Sequence, residues 1–318
     1  MENNEYDVKL SLDLEKLSKF ICKQYKFKNY QSNEIIYEDY DNFTFSITCE
    51  KKKYFVRVFN KRKEEKDIQK YVDKYRIIQE SFKGIPRILK QQQKEILKVV
   101  LDNGEKVYVK VMEFIPGHSL LQEKVEVTKN DIDQIVKFMD EFKKVEIAEE
   151  NKELSFPNLR NNLKKYNEFV PSKWNQDISL CLDTLKQINY KGMKKQTIHG
   201  DLHLSNIISN EGKLTFVDYD YACNGYRLID VVKVINNVIF TIKNKKEAEE
   251  LYDYFLEAYQ KNNPLTEVEK KYLNQLVIAD CYNNLCLNRY LLKIGKNKNI
   301  KYWYKNDLKV IKIFKKKI

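Results

Sequence analysis

Glycine is scarce in this chain and absent from its first 83 residues: all eight glycines fall at or after Gly84. That excludes a glycine-rich phosphate loop between the opening strands. Histidine is rarer still, with three residues, and the six cysteines at positions 22, 49, 181, 223, 281 and 286 show no paired metal-ligand spacing. Zinc is not expected, and reduced thiols packed in the interior are. No apolar run reaches the roughly 18 residues of a membrane span, and no basic, apolar, small-residue signal follows Met1. A cytoplasmic globule is the expectation. Acids are outnumbered 46 to 58, giving a net charge of +12, and from Arg289 to Lys317 the only acid is Asp307. A lysine-rich helical face of this kind is usually solvated surface, so neither a specific nucleic-acid partner nor a membrane partner is expected.

What is present has two textures. Up to about residue 113 the apolar pattern has mostly period two, with strands expected near 33–38, 43–49, 53–59, 87–100 and 106–113 and a hairpin turn at Asp102-Asn103-Gly104. Helices are expected at 10–24 and 63–82, the second stopped by Gly84 and Pro86. After Gly117 the period becomes 3.6, with helices near 129–145, 158–169, 174–188, 228–242, 246–261, 266–294 and 300–315 and one hairpin turning at Asn210-Glu211-Gly212. This predicts an α+β chain: a small antiparallel-sheet lobe over 1–113 with one long helix, and a larger, mainly helical lobe over 114–318.

The chemistry concentrates in two short segments. Residues 199–206 read His-Gly-Asp-Leu-His-Leu-Ser-Asn and hold two of the three histidines; Phe216-Val217-Asp218-Tyr219-Asp220 follows. Taken singly, Asp201 reads as a turn or helix cap, and Asp218 with Asp220 as the end of a strand. Together they suit phosphoryl transfer from a nucleotide to a hydroxyl. That reaction needs a carboxylate to orient the hydroxyl and accept its proton, and hard oxygen ligands for magnesium. Asp201 can be the carboxylate, and Asn206 and Asp218 can supply the oxygens.

With these residues the chain resembles the small-molecule kinases grouped with aminoglycoside phosphotransferases, choline kinases and type II homoserine kinases, which share the bilobal protein-kinase-like fold. The resemblance implies that Asp201 is the catalytic base, that Asn206 and Asp218 bind Mg2+, and that ATP or GTP is the co-substrate. His203 is divided between supporting the base and touching the γ-phosphate, and His199 is expected to brace the loop. Val107 to Val111 followed by Met112-Glu113-Phe114-Ile115-Pro116-Gly117 resembles the strand and hinge of the family, where the backbone at Glu113 and Ile115, beside Met112, would meet the adenine. Arg57 stands where the family carries a cation for the phosphates, and a guanidinium suits that task. Its acidic partner on the next helix is placed at Asp73, with Asp67 and Glu65 as alternatives. Asn42, in Tyr40-Asp41-Asn42-Phe43, takes the place of the missing glycine loop over the phosphates. Arg227 and Asp230 match a family segment that ties down the catalytic loop. The acceptor is expected between this loop and the later helices, where Tyr282, Tyr290, Trp303 and Tyr304 are aromatic candidates for a cation or for the core.

Two other readings stay open: a nucleotide-binding pseudokinase or regulatory module, and a protein kinase. The second is disfavoured by His203, which stands two residues after the Asp where protein kinases acting on Ser or Thr carry Lys. The sequence leaves the acceptor, the choice of ATP or GTP and the oligomeric state undetermined.

Overall fold

Asp13 starts the first helix by accepting a hydrogen bond from the Lys16 amide (3.0 Å), so that α1 (Leu14–Tyr25) turns Leu17 and Ile21 to one side. The computed structural model describes residues 12–38, 42–59, 63–123, 126–241, 244–294 and 300–318. Next come β1 (Tyr30–Glu38), β2 (Asn42–Cys49), β3 (Lys52–Phe59), α2 (Glu65–Ser81), β4 (Leu97–Val100) and β5 (Lys106–Glu113). Among the described residues the strands form one antiparallel sheet in the order β1-β2-β3-β5-β4.

Alternation along these strands decides the two faces of the sheet. Phe45, Ile47, Val56, Val58, Val107, Val109 and Val111 pack with Leu17 and Ile21 of α1 into one apolar core. Each such fully buried aliphatic side chain contributes about 1.5–3 kcal/mol. The intervening positions Arg57 and Lys110 stand opposite each other on β3 and β5. Lys110 is buried; its Nζ hydrogen-bonds the Tyr71 hydroxyl of α2 and lies 4.2 Å from that ring centroid.

The strand expected over 87–100 shortens to β4. Upstream of it Ile88 bridges Met112 and Gln91 bridges Lys94. Gln92 and Gln93 both take positive φ (47° and 69°), making a tight reversal closed by the Gln91 and Lys94 amides and carbonyls at 2.8 Å. Such a turn ordinarily draws Asn or Gly, so a run of glutamines gives no turn signal.

The chain divides into two compact units after Pro116. The second, Gly117–Ile318, holds β6 (His118–Ser119), α3 (Leu120–Glu123), α4 (Lys129–Phe142), α5 (Phe156–Tyr166), α6 (Asn175–Gln187), β7 (Lys195–Ile198), β8 (Ile207–Asn210), β9 (Lys213–Phe216), β10 (Cys223–Tyr226), α7 (Leu228–Asn237), α8 (Lys245–Asn262), α9 (Glu267–Lys293) and α10 (Ile300–Phe314). Capping boxes fix the starts of α4 (Thr128 with Asp131) and α9 (Thr266 with Glu269). Along α9 every residue from Leu276 to Tyr282 is buried, because α5, α6, α7 and α10 all pack on it. The buried Arg227 guanidinium pairs with Glu269 (2.5 Å) and ties the start of α7 to α9. All six cysteines are buried. Among the described residues no helix is long and apolar enough to cross a membrane.

Candidate active site

The loop from His199 to Asn206 connects β7 to β8 and is held from three sides. The buried Asp230 carboxylate, in the first turn of α7, accepts the His199 amide through Oδ2 and the Gly200 amide through Oδ1, both at 2.8 Å. Burial raises the Asp230 carboxyl to about 6 against the pull of those two amides, so above that pH it is ionised as its partners require. The His199 ring is enclosed by Phe138, Phe142 and Tyr219; it donates from Nε2 to the Val217 carbonyl (3.1 Å) and accepts the Asp201 amide on Nδ1 (3.3 Å). His199 therefore braces the loop.

Burial lowers the His199 pKa from 6.5 to about 4, so the native ring stays neutral where an unfolded one would be charged. A depressed pKa contributes stability that is whole above 6.5 and is lost as pH falls towards 4. Near pH 5, unfolding of the wild type is expected to take up about one proton more than unfolding of His199→Asn. The slope of unfolding free energy against pH measures this, and equal slopes would contradict it.

Gly200 allows the close approach on the third side. Its φ is +83°, and a Cβ there would lie 2.7 Å from the Tyr221 carbonyl oxygen and 2.5 Å from Leu154 Cδ1. Leu154 can move, but the backbone oxygen cannot without displacing the turn after Asp218. Gly200→Ala is expected to destabilise the chain by about 1–3 kcal/mol. Chemical denaturation checks this, and an unchanged midpoint would contradict it.

This scaffold presents a connected polar set. Asp201 Oδ2 accepts from His203 Nε2 (3.1 Å) and Asn206 Nδ2 (3.1 Å), and Asn206 Nδ2 also reaches the Asp201 carbonyl (3.0 Å). His203 Nδ1 accepts the Ser205 amide (3.3 Å), which fixes the tautomer with its proton on Nε2. Burial pushes the Asp201 carboxyl up, but the hydrogen bond and electrostatic pull of His203, with the Lys233 ammonium, outweigh it and hold the group below the usual carboxylate range. With Nδ2 committed to Asp201, the oxygen of the Asn206 side chain is its group for a cation. Asn206 also accepts the Val217 amide on its backbone carbonyl (3.0 Å). Val217 thus bonds both His199 and Asn206, and the next residue, Asp218, is delivered beside them in a left-handed conformation (φ 66°). Asp220 follows on a single 3-10 turn.

One amide oxygen and one carboxylate at neighbouring positions suit magnesium, which keeps several waters. Among the described residues no group of three or more His, Cys, Asp or Glu side chains could enclose a metal by itself.

The residues expected on the nucleotide side lie in the first unit. Arg57 is buried on β3. Asp73 does not meet it: its carboxylate accepts from Gln69 (2.9 Å) and Arg76 (3.1 Å) on the exposed side of α2, whose buried side carries Ile68, Val72, Tyr75 and Ile78. Glu65, one alternative, bonds the Tyr108 hydroxyl (2.7 Å) and Lys98 (3.4 Å). Met112 is buried at the end of β5, and Glu113 exchanges bonds with Arg87, its amide to the Arg87 carbonyl (2.9 Å) and its Oε2 from the Arg87 amide (3.0 Å). Ile115 follows in the irregular segment before Gly117. Asn42 opens β2 opposite Phe59, and its side chain, like Tyr40 and Asp41, lies outside the described part. Of the aromatic acceptor candidates, Tyr282 is core and donates to Asp177 (2.5 Å), Tyr290 packs with Tyr166 and Phe169, and Tyr304 packs with Trp174. The Trp303 side chain is outside the described part.

Two lysines escaped the sequence reading. Lys110 is buried on the strand face opposite the apolar core, across from Arg57, and Lys233 lies three residues after Asp230 on a helix that is otherwise buried. Only Lys233 breaks an apolar pattern, in Val231-Val232-Lys233-Val234-Ile235, and that was the available signal.

Comparison with known proteins gives this arrangement its family. Residues 34–268 match the model described as the phosphotransferase enzyme family, and the chain belongs to that family. A homoserine kinase of Neisseria meningitidis serogroup B is 31% identical over 105 residues, covering 32% of this chain and 34% of that protein, so the match spans about a third of the relative's length. An amicoumacin kinase bound to AMP-PNP and Ca2+ superposes with a TM-score of 0.67 at 14% identity, covering 96% of this chain and 93% of its own. A microcompartment-associated aminopropanol kinase superposes at 0.66 and 13% identity, covering 95% and 94%. At these identities the structural likeness establishes the fold, which is the one expected from the sequence.

Proposed function

We propose that the chain is a small-molecule kinase that transfers the γ-phosphoryl group of ATP or GTP to a hydroxyl of a small acceptor. The observation that carries this reading is the Asp201 carboxylate, kept ionised and oriented by His203 and Asn206 and set one hairpin away from Asp218. Asp201 orients the acceptor hydroxyl and takes its proton as the oxygen attacks phosphorus. Asn206 and Asp218 would hold Mg2+, which when bound neutralises charge on the phosphate oxygens. His203 holds the base through Nε2 rather than acting on its own. On the nucleotide side the reading assigns Arg57 and Asn42 to the phosphates and the backbone at Met112, Glu113 and Ile115 to the base. The acceptor is an aminoglycoside, a choline-like or homoserine-like alcohol or a sugar, a range consistent with the homoserine, aminopropanol and amicoumacin kinases that the chain resembles, and the protein works in the cytoplasm with its nucleotide.

Asp218→Ala tests the ligand assignment. It is expected to weaken magnesium-dependent nucleotide binding by about 10-fold or more, the effect of losing one charged ligand. Titrating magnesium against bound nucleotide measures it, and an unaltered magnesium requirement would contradict the assignment.

A further inference from the structure

Helix α7 buries every residue from Leu228 to Asn237 except Lys233, whose side chain is 20% exposed. Lys233 follows Asp230 by three residues and so shares the helix face that holds the catalytic loop. Its Nζ donates to Asp280 Oδ1 of α9 (3.1 Å). The other Asp280 oxygen accepts from Asn236 Nδ2 (2.9 Å), and the Asn236 carbonyl accepts from Asn306 Nδ2 of α10 (2.9 Å). Three helices thus fix the position of one ammonium. An ammonium has three N–H donors, and among the described residues this hydrogen bond to Asp280 uses one. Asp230, one turn before Lys233, holds the two amides that immediately precede Asp201, so this part of α7 lies against the loop that carries the base.

A buried ion pair such as Lys233–Asp280 stabilises a helix interface less than well-packed aliphatic residues would, and it leaves a fixed ammonium with donors to spare for an anion. His203 occupies the position two residues after Asp201, and that loop offers no lysine. We propose that Lys233 is a further catalytic residue whose ammonium receives an anionic oxygen at Asp201, either of the phosphoryl group in transfer or of a carboxylate on the acceptor. The proposal rests on the phosphotransferase reading. In that step the acceptor oxygen forms its bond to γ-phosphorus, the bond from γ-phosphorus to the β,γ-bridging oxygen breaks, and the hydroxyl proton passes to Asp201. Lys233 gives and takes no proton.

Competitive acetylation with peptide mass mapping reads the Lys233 environment directly in the full chain. Labelling is compared with no addition, with magnesium and AMP-PNP, with homoserine, and with 3-aminopropan-1-ol, which lacks the carboxylate; nucleotide binding is measured in the same samples by calorimetry. Protection of Lys233 by magnesium AMP-PNP supports the phosphoryl source. Protection by homoserine and not by 3-aminopropan-1-ol supports the carboxylate source. Nucleotide binding with Lys233 labelling unchanged in every arm overturns the proposal alone, whereas no nucleotide binding at all overturns the functional reading and the proposal with it. Lys233→Met and Lys233→Arg provide the second check: turnover falls at least ~10-fold in the first and is partly kept in the second, at thermal midpoints that show both are folded. Equal turnover in Lys233→Met and wild type overturns the assignment.

Discussion

Replacing Asp201 with Asn is expected to lower turnover by about 10²–10⁴-fold, the usual contribution of a positioned general base, while nucleotide affinity stays near the wild-type value. An amide at this position can still accept from Asn206 Nδ2 and His203 Nε2 through its oxygen, so the loop keeps its shape. What it loses is basicity. Burial works against a charged Asp201, and the neighbouring cationic and hydrogen-bonding groups restore it, so the wild-type group is ready to take a proton at neutral pH. Single-turnover measurement with saturating nucleotide, beside calorimetric binding, separates the two effects. Turnover at the wild-type rate would remove Asp201 from the role of base. Lost nucleotide binding would instead make it a ligand of the metal complex.

The second large effect is on stability. Asp230→Ala removes the acceptor of two buried amides, those of His199 and Gly200. An unsatisfied buried donor costs about 1–3 kcal/mol, so the variant is expected to lose about 2–6 kcal/mol. Against a total of about 5–15 kcal/mol for an ordinary domain, that is a large share. Asp230→Asn should lie between the two, since it keeps one acceptor oxygen and turns an NH2 group towards the remaining amide. Denaturant unfolding of the three proteins measures the order, and a wild-type midpoint in Asp230→Ala would show that the loop is held by something else.

The bonded set around Asp201 was legible in the sequence because its contacts are local. Asp201, His203 and Asn206 lie within six residues and meet through bonds that such short spacing permits; the hairpin of β8 and β9 then returns Asp218 to them. Arg227 and Asp230 were legible as structural residues for a similar reason, although the depth of the Arg227–Glu269 pair needed the packing of α9 to appear. Long-range choices were not legible. Placing Asp73 against Arg57 assumed a helix rotation that the apolar pattern of α2 opposes: with Val72 and Tyr75 buried, Asp73 turns outward to Arg76. The bridges at Ile88 and Gln91 in place of a long strand follow from a turn made by glutamines, whose residue types do not announce it. Nothing near Lys233 in the sequence announces its partner, Asp280, which lies 47 residues away on α9.

The central claim is tested most directly by mass spectrometry of an acceptor panel, with aminoglycosides, choline, homoserine, amino alcohols and small sugars, incubated with the protein, magnesium and either ATP or GTP. The account predicts that one acceptor class gains the mass of one phosphoryl group with wild-type protein, and that this product falls by about 10²–10⁴-fold with Asp201→Asn. Phosphorylated product formed equally well by both proteins would contradict it.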